Sequence, residues 1–341
     1  MISLHGTVVE EDGILPGQII IENGLIKAFH RRAVGFVGNI ISFNEYSGGE
    51  SLPEFLIFPG FIDLNFTHTE RLAALSGGVT SSMQYGIHID MDDYNDNQLD
   101  DIIRVNQNIQ SGMIFNNLAK SSNDPQCEIE GVKTVIAKIK IHNINSRIVI
   151  STVASLRLIQ EARRDGLNVL SEVHPVNLYF DMVTSSLQTN PPLRSQNDRN
   201  NLLCEIANGN IDILSSGHIS YLLSEKKPGV PELDTFGSLV AWMITEGVSP
   251  EIIFRMTCLH PSEWTKRYVD HNPEKHLIGR IKEGYQANIT VLAFNKPAIN
   301  SRQLYTSCGW SPYDLRYLKG SVEMVVLNGE KVINRQWIIS G

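Results

Sequence analysis

A chain of 341 residues with 42% apolar and 19% charged side chains can bury a large core and a smaller satellite, which excludes a disordered chain or a membrane-spanning bundle. Its net charge of −8, with no cluster of Lys and Arg, excludes an electrostatic footprint for nucleic acid or anionic lipid. The opening residues show no basic stretch followed by an apolar one, and Cys127, Cys204, Cys258 and Cys308 form no C-x-x-C pair. Reduced thiols without a role and a cytoplasmic location are therefore expected.

The first predicted elements are strands. Thr7–Glu10, Gln18–Glu22 and Leu25–Phe29 are rich in β-branched residues, and the last two are joined by Asn23-Gly24, a dipeptide that accepts the positive φ angles of a tight hairpin. From Leu56 the pattern changes. Short apolar runs at Leu56–Asn65, Val79–Tyr85, Met113–Leu118, Arg147–Thr152, Leu167–His174 and Ile211–His218 alternate with helix-like stretches, the pattern of β/α units around a parallel sheet. Helices are predicted at Ser155–Arg164, Asn197–Asn208, Phe236–Glu246 and Ser249–Leu259, the last with Ser249 as N-cap ahead of Pro250. Residues 90–110 are acidic and Asn-rich but lack the spacing of an oxygen-ligand loop, so they read as a solvated helix and its lead-in. The last elements mirror the first, with strands at Asn288–Ala293, Val322–Leu327 and Lys331–Asn334 and a second Asn-Gly turn at Asn328-Gly329.

Several stretches, in order over most of the chain, resemble the dihydroorotase and allantoinase branch of the amidohydrolase superfamily. Phe58–Asp63 (FPGFID) resembles its P-G-F-I-D, Ala73–Thr80 (AALSGGVT) its A-A-x-x-G-G-V-T, Ser151-Thr152 the end of its H-V-S-T, and Glu172–Leu178 (EVHPVNL) its E-V-T-P-H-H-L. Asn190–Ser195 with Asp198-Arg199 is the most specific match, to N-P-P-L-R-S-x-x-D-R, and Gly279–Asn288 resembles G-x-I-x-x-G-x-x-A-D. The resemblance implies an α/β fold: a TIM-like (β/α) barrel over residues 56–279 and a small β-sandwich built from residues 1–55 and 280–341. Where the family spends several β/α units, only about sixty residues separate Tyr85 from Arg147. Since a unit takes roughly thirty, a barrel shortened or distorted on that side is expected.

The family's chemistry uses one or two divalent metals that polarise an amide carbonyl and turn a bound water into hydroxide. At the positions matching its ligands this chain has other residue types. Asn65 and Thr67 stand at H-x-H, Val149 at the histidine of H-V-S-T, and Gly217 at the aspartate of T-D-H, while Thr69 replaces an arginine that would hold a substrate carboxylate. The resemblance thus implies that the metal centre is lost, and no cofactor is expected. The candidates left for catalysis are His218, His174 and Glu172, and those for substrate binding are Asn190, Arg194, His218 and His68. Each histidine is alternatively a hydrogen-bonded rim residue, and Arg194 alternatively an ion-pair partner of Asp198 or Glu172. Zinc on His68, His174 and His218 is the ligand set of a rebuilt site. Lys120 reads as a surface lysine.

Three functions compete on these grounds: a non-catalytic dihydroorotase-like protein with an assembly or regulatory role, an enzyme that opens or closes a cyclic amide or ureide at a rebuilt site, and a small-molecule binding protein. The expected partners are a second copy or another protein and a small cyclic amide or amino-acid-derived ligand, not nucleic acid or membrane.

Overall fold

Both Asn-Gly turns are present in the computed structural model, with Asn23 at φ 53°, Gly24 at 80°, Asn328 at 49° and Gly329 at 80°. These are the left-handed angles that a tight hairpin demands and that Asn and Gly supply at least cost. The structure describes residues 1–32, 35, 38–44, 52–65, 70–82, 87–90, 113–116, 123–225, 227–267, 277–297, 304–314, 316 and 318–334. They fall into two compact units, one of residues 1–83, 218–225 and 231–341, the other of residues 84–217 and 226–230. This division follows packing within each unit and not the barrel–sandwich boundary expected at 55/56 and 279/280.

The first unit begins with β1 (Ile2–Glu10), β2 (Gly13–Glu22), β3 (Leu25–His30), β4 (Asn39–Ser42), β5 (Phe55–Pro59), β6 (Phe61–Asp63), α1 (Arg71–Ser76) and β7 (Val79–Ser82). The second holds β8 (Ile87–Asp90), β9 (Met113–Asn116), α2 (Pro125–His142), β10 (Ser146–Val149), α3 (Val153–Arg164), β11 (Val169–Val173), α4 (Val176–Tyr179), α5 (Gln196–Ala207) and β12 (Ile213–Leu214). The chain returns to the first unit with α6 (Phe236–Thr245), α7 (Pro250–Phe254), α8 (His260–Lys266), β13 (Ile289–Pro297), β14 (Lys319–Leu327) and β15 (Glu330–Asn334).

In the first unit the two terminal hairpins belong to one sheet, in the order β15-β14-β13-β5-β1-β2-β3 with β4 beside β1. Alternate side chains of its strands enter one core, among them Leu4 and Val8, Ile19 and Ile21, and Ile289 and Val291, each at most 2% exposed. The single strand expected over Leu56–Asn65 is instead two. β5 pairs antiparallel with β13, whereas β6 pairs parallel with β7. Gly60 makes the break. A Cβ there would lie 2.1 Å from Thr80 Oγ1, so the backbone passes too close for any other residue.

The helix expected over Ser249–Leu259 also runs differently. It starts as expected, Ser249 accepting the Ile252 N–H, but continues to Lys266 through a π turn over Arg255–Leu259. Pro261 has no N–H for the carbonyl four residues back, and the wider turn absorbs that gap.

The second unit is a parallel sheet in the order β12-β11-β10-β9-β8. Every residue of β10 is buried, as expected for a parallel strand covered on both faces. Three of its elements escaped the sequence reading: β8, α2 and the single turn of α4. β8 is too short for its alternation to stand out. α2 is announced by Asp124-Pro125, where Asp124 caps the helix by accepting the Gln126 N–H at 2.9 Å, and it ends at Asn143 with φ 50°. The expectation of a shortened barrel turned on this stretch, which holds β8 and α2 as well as β9; residues 91–112 and 117–122, including most of the acidic stretch, lie outside the described residues. No helix among the described residues is long and apolar enough to cross a membrane.

Candidate functional site

In the second unit β10 and β11 place Arg147 and Glu172 on neighbouring strands, two positions apart in register, and both are fully buried. The Glu172 carboxylate accepts from Arg147 Nη1 and Ser215 Oγ, and His174 Nε2 stands 3.8 Å away. Burial pushes this carboxyl up, but the Arg147 guanidinium, with His174 and Ser215, outweighs it and holds the group down to about 2. A carboxylate so held is an anion at neutral pH with almost no affinity for a proton, which makes it a poor general base.

Arg194 is also spent inside the unit. Its Nη2 meets Glu128 Oε2 at 3.0 Å, Nε donates to Ser151 Oγ at 2.9 Å and Nη1 to the Asn123 carbonyl at 2.9 Å. Glu128 further accepts the Ser151 and Thr152 N–H groups, both at 3.1 Å. The partner of Arg194 is therefore Glu128 of α2, and neither Asp198 nor Glu172. Asp198 belongs to a helix cap: its N–H donates to Ser195 Oγ at 3.1 Å, and that hydroxyl donates to its carboxylate at 2.6 Å. Arg199 pairs with Asp181 at 3.2 Å, and Asn177 Nδ2 donates to the Pro191 and Pro192 carbonyls. The most specific motif of the sequence thus resolves into a cap, two ion pairs and a loop clamp. Ser195→Ala is expected to cost about 1 kcal/mol, read as a lower urea midpoint at unchanged slope; no shift would mean that the cap carries no stability.

Gly217 has φ +59°, and a Cβ there would lie 2.4 Å from Nδ1 and 2.5 Å from Cγ of His174. The His174 ring occupies the space that a side chain at 217 would enter. Val149 is buried and carries no donor atom, and the Asn65 N–H donates to Asp63 Oδ1 at 3.1 Å. Thr67, His68, Thr69 and Lys120 lie outside the described residues.

In the first unit His218 meets two residues that the sequence reading did not nominate, Glu70 and Cys308. One ligand atom from each lies within 4.8 Å of the others, and all three residues are buried. His218 Nε2 is 3.0 Å from Glu70 Oε2. Glu70 also accepts from Ser220 Oγ at 2.8 Å, Thr306 Oγ1 at 2.7 Å, the Ser307 N–H at 3.2 Å and the Ser307 hydroxyl, while Cys308 Sγ lies 3.5 Å from Ser220 Oγ. Burial pushes the Glu70 carboxyl up, yet these hydroxyls and His218 hold it below the ordinary carboxylate range. Next to it Asp234, which accepts the Tyr305 and Thr306 N–H groups, is pushed up by burial. Glu70 and Cys308 carry no local motif, and only the folded chain brings them together.

The other nitrogen of His218 decides what this cluster can do. Nδ1 accepts the Glu232 N–H at 3.1 Å and the Leu233 N–H at 3.4 Å, at the turn that leads into α6. Two backbone donors facing Nδ1 select the neutral tautomer with its proton on Nε2, and burial pushes the imidazole pKa down against the pull of Glu70 and Asp63. Zinc accepts Glu, His and Cys together, but it would need Nε2 bare, and a metal-bound histidine normally donates from its second nitrogen. The contacts here run the other way. In nitrogen-15 spectra at pH 7, with His218→Asn for assignment, the His218 ring is expected to be protonated at Nε2 only; a proton on Nδ1 would contradict this geometry.

The fold combines a parallel-stranded α/β unit with a mixed sheet built from the first and last strands of the chain. Two solved structures share it: L-hydantoinase (dihydropyrimidinase) from Arthrobacter aurescens, with TM-score 0.80 and 15% identity over 98% of this chain and 96% of that one, and a D-hydantoinase, with TM-score 0.78 and 18% identity over 98% and 95%. In sequence the chain is 28% identical to a dihydroorotase of Pyrococcus furiosus over 63% of its length, and 31% identical to one of Ehrlichia canis over 56%. It spans about half the length of these relatives, 51% and 44%. No family profile matches the sequence. The chain is thus dihydroorotase-like in sequence and hydantoinase-like in fold, which supports a place in the amidohydrolase superfamily.

Proposed function

We propose that the protein opens or closes the ring C–N bond of a cyclic amide or ureide, as its relatives' names describe for them, at a rebuilt centre that is not the family's metal site. The observation that carries the metal-free part is the pair Gly217 and His174: the position matching a ligand aspartate has no side chain, and an imidazole fills the room for one. Val149 offers no donor either. The residues present do not fit the metal. His218 holds a neutral Nε2–H that faces Glu70 Oε2 at 3.0 Å; turned from Glu70 to a substrate, it is the kind of donor that stabilises a carbonyl oxygen as it gains negative charge. The cysteines are free thiols, which suits a reducing compartment.

A second reading, a non-catalytic assembly or regulatory role, is favoured by one observation: Glu172 and Arg194 are both consumed in buried ion pairs. One experiment separates the readings. Protein purified without added metal or chelator is analysed for metal and assayed with dihydroorotate, hydantoin and 5,6-dihydrouracil, before and after incubation with zinc or manganese, beside His218→Gln. Turnover without metal, lost in H218Q, supports the rebuilt centre. Turnover that needs one metal per chain overturns the metal-free reading, and no turnover in any condition leaves the assembly role.

A further inference from the structure

Both nitrogens of His218 face groups that one distant segment holds in place. Residues 304–314 lie in the connection between β13 and β14, in the same unit as His218. On the Nε2 side, Thr306 and Ser307 give their hydroxyls, and Ser307 its N–H, to Glu70, whose Oε2 is 3.0 Å from Nε2. On the Nδ1 side, the Tyr313 hydroxyl donates to Glu232 Oε1, and the Glu232 N–H donates to Nδ1 at 3.1 Å. Glu232 and Tyr313 are 81 residues apart in sequence and both fully buried. The Thr235 N–H and hydroxyl each donate to the Glu232 carbonyl at 3.1 Å. The turn into α6 thus holds the backbone of Glu232, and Tyr313 holds its side chain.

We propose that Tyr313 is a positioning residue: by fixing the Glu232 side chain it keeps the Glu232 and Leu233 N–H groups on His218 Nδ1, and so keeps the proton of the ring on Nε2. A neutral imidazole carries one proton, and the nitrogen that accepts a hydrogen bond is not the one that bears it. A buried carboxyl oxygen that loses its donor pays for its desolvation, so Glu232 without the Tyr313 hydroxyl turns toward another donor. That turn moves its own N–H, because side chain and N–H share one Cα. The bonds to Nδ1, at 3.1 and 3.4 Å, are long, and a small shift breaks them. This role rests on the proposed use of the His218 Nε2–H as a donor to substrate and adds the residue that orients it.

The test is nitrogen-15 spectroscopy of the His218 ring in the full chain at pH 7, for wild type, Tyr313→Phe and Trp310→Phe, with melting temperatures and turnover of hydantoin and 5,6-dihydrouracil measured on the same samples. Y313F keeps the buried ring and removes one oxygen. W310F removes a different anchor of the same segment, the bond from Trp310 Nε1 to the Tyr221 carbonyl at 3.0 Å. Wild type and W310F are expected to carry the proton on Nε2 only. Y313F is expected to share it between the two nitrogens, with kcat lower by about tenfold or more and KM unchanged. A ring protonated only at Nε2 in folded Y313F overturns the role of Tyr313. So does the same change in W310F, which would mean that any loosening of the segment suffices. Should Y313F fail to fold, Glu232→Ala and Glu232→Gln decide: E232A leaves Tyr313 no acceptor and should share the proton, whereas the amide oxygen of E232Q still accepts and should keep it on Nε2. Identical rings in those two variants overturn the role as well. Absence of wild-type turnover with both rings removes the proposed function, while the spectra still decide what Tyr313 does.

Discussion

Arg147→Met is expected to lower stability by about 3–5 kcal/mol, because it strands the fully buried Glu172 without its countercharge. Replacing both partners, as in R147M/E172L, should recover most of the loss, since a packed apolar pair has no charge to desolvate. Urea denaturation at pH 7 measures both, and a single-variant loss under about 1 kcal/mol would show that Glu172 has another way to hold its charge. The acid dependence follows in sign. The folded-state pKa, about 2, lies below the ordinary 4.5, so this group's stabilisation is complete above 4.5 and disappears as the pH falls towards 2. The advantage of wild type over R147M should shrink across that window.

The second large effect belongs to Gly217. Gly217→Ala places a side chain in a left-handed conformation, at about 1–2 kcal/mol, and also drives its Cβ into the His174 ring, for another 1–3 kcal/mol or so. Gly166→Ala separates the two costs: Gly166 has φ +88° and nothing within 4 Å of the added Cβ, so it pays only the backbone penalty. G217A should therefore be clearly the more destabilising, and H174A should relieve part of the difference in a double-mutant cycle. Equal losses for G166A and G217A would mean that His174 moves aside freely. That result would reopen the space where a metal-ligating aspartate matches the family pattern.

Local chemistry was legible in the sequence; long-range partnership was not. The Asn-Gly hairpins, the Ser249 cap and the order of short apolar runs follow from a few adjacent residues, and the structure holds them. The two strands around Gly60 look like one run, because what divides them is the approach of Thr80 across the fold. Arg194 was given nearby acids as partners, yet Glu128 lies 66 residues away, on a helix whose Asp-Pro start was available but not used. His218 was nominated by its motif, but its setting was out of reach: Glu70 binds Ser307 across 237 residues. Val149 and Gly217 could be named as departures from a ligand pattern, but only the folded chain brings His174 into the space at 217.

The place of β5 in its sheet has a consequence for synthesis on the ribosome. It lies between β1, already made, and β13, with Pro59 opposite Ile289. About 230 residues separate those two positions, so at roughly 5–20 residues per second β5 waits on the order of 10–50 s for its neighbour. In that interval the nascent sheet exposes an unpaired edge of donors and acceptors. Residues 84–217, most of the second unit, emerge meanwhile without interruption. The order of completion is thus written into the topology: residues 84–217 are made before the sheet that needs β13 can close, which makes β5 the point at which a chaperone would find the newborn chain open.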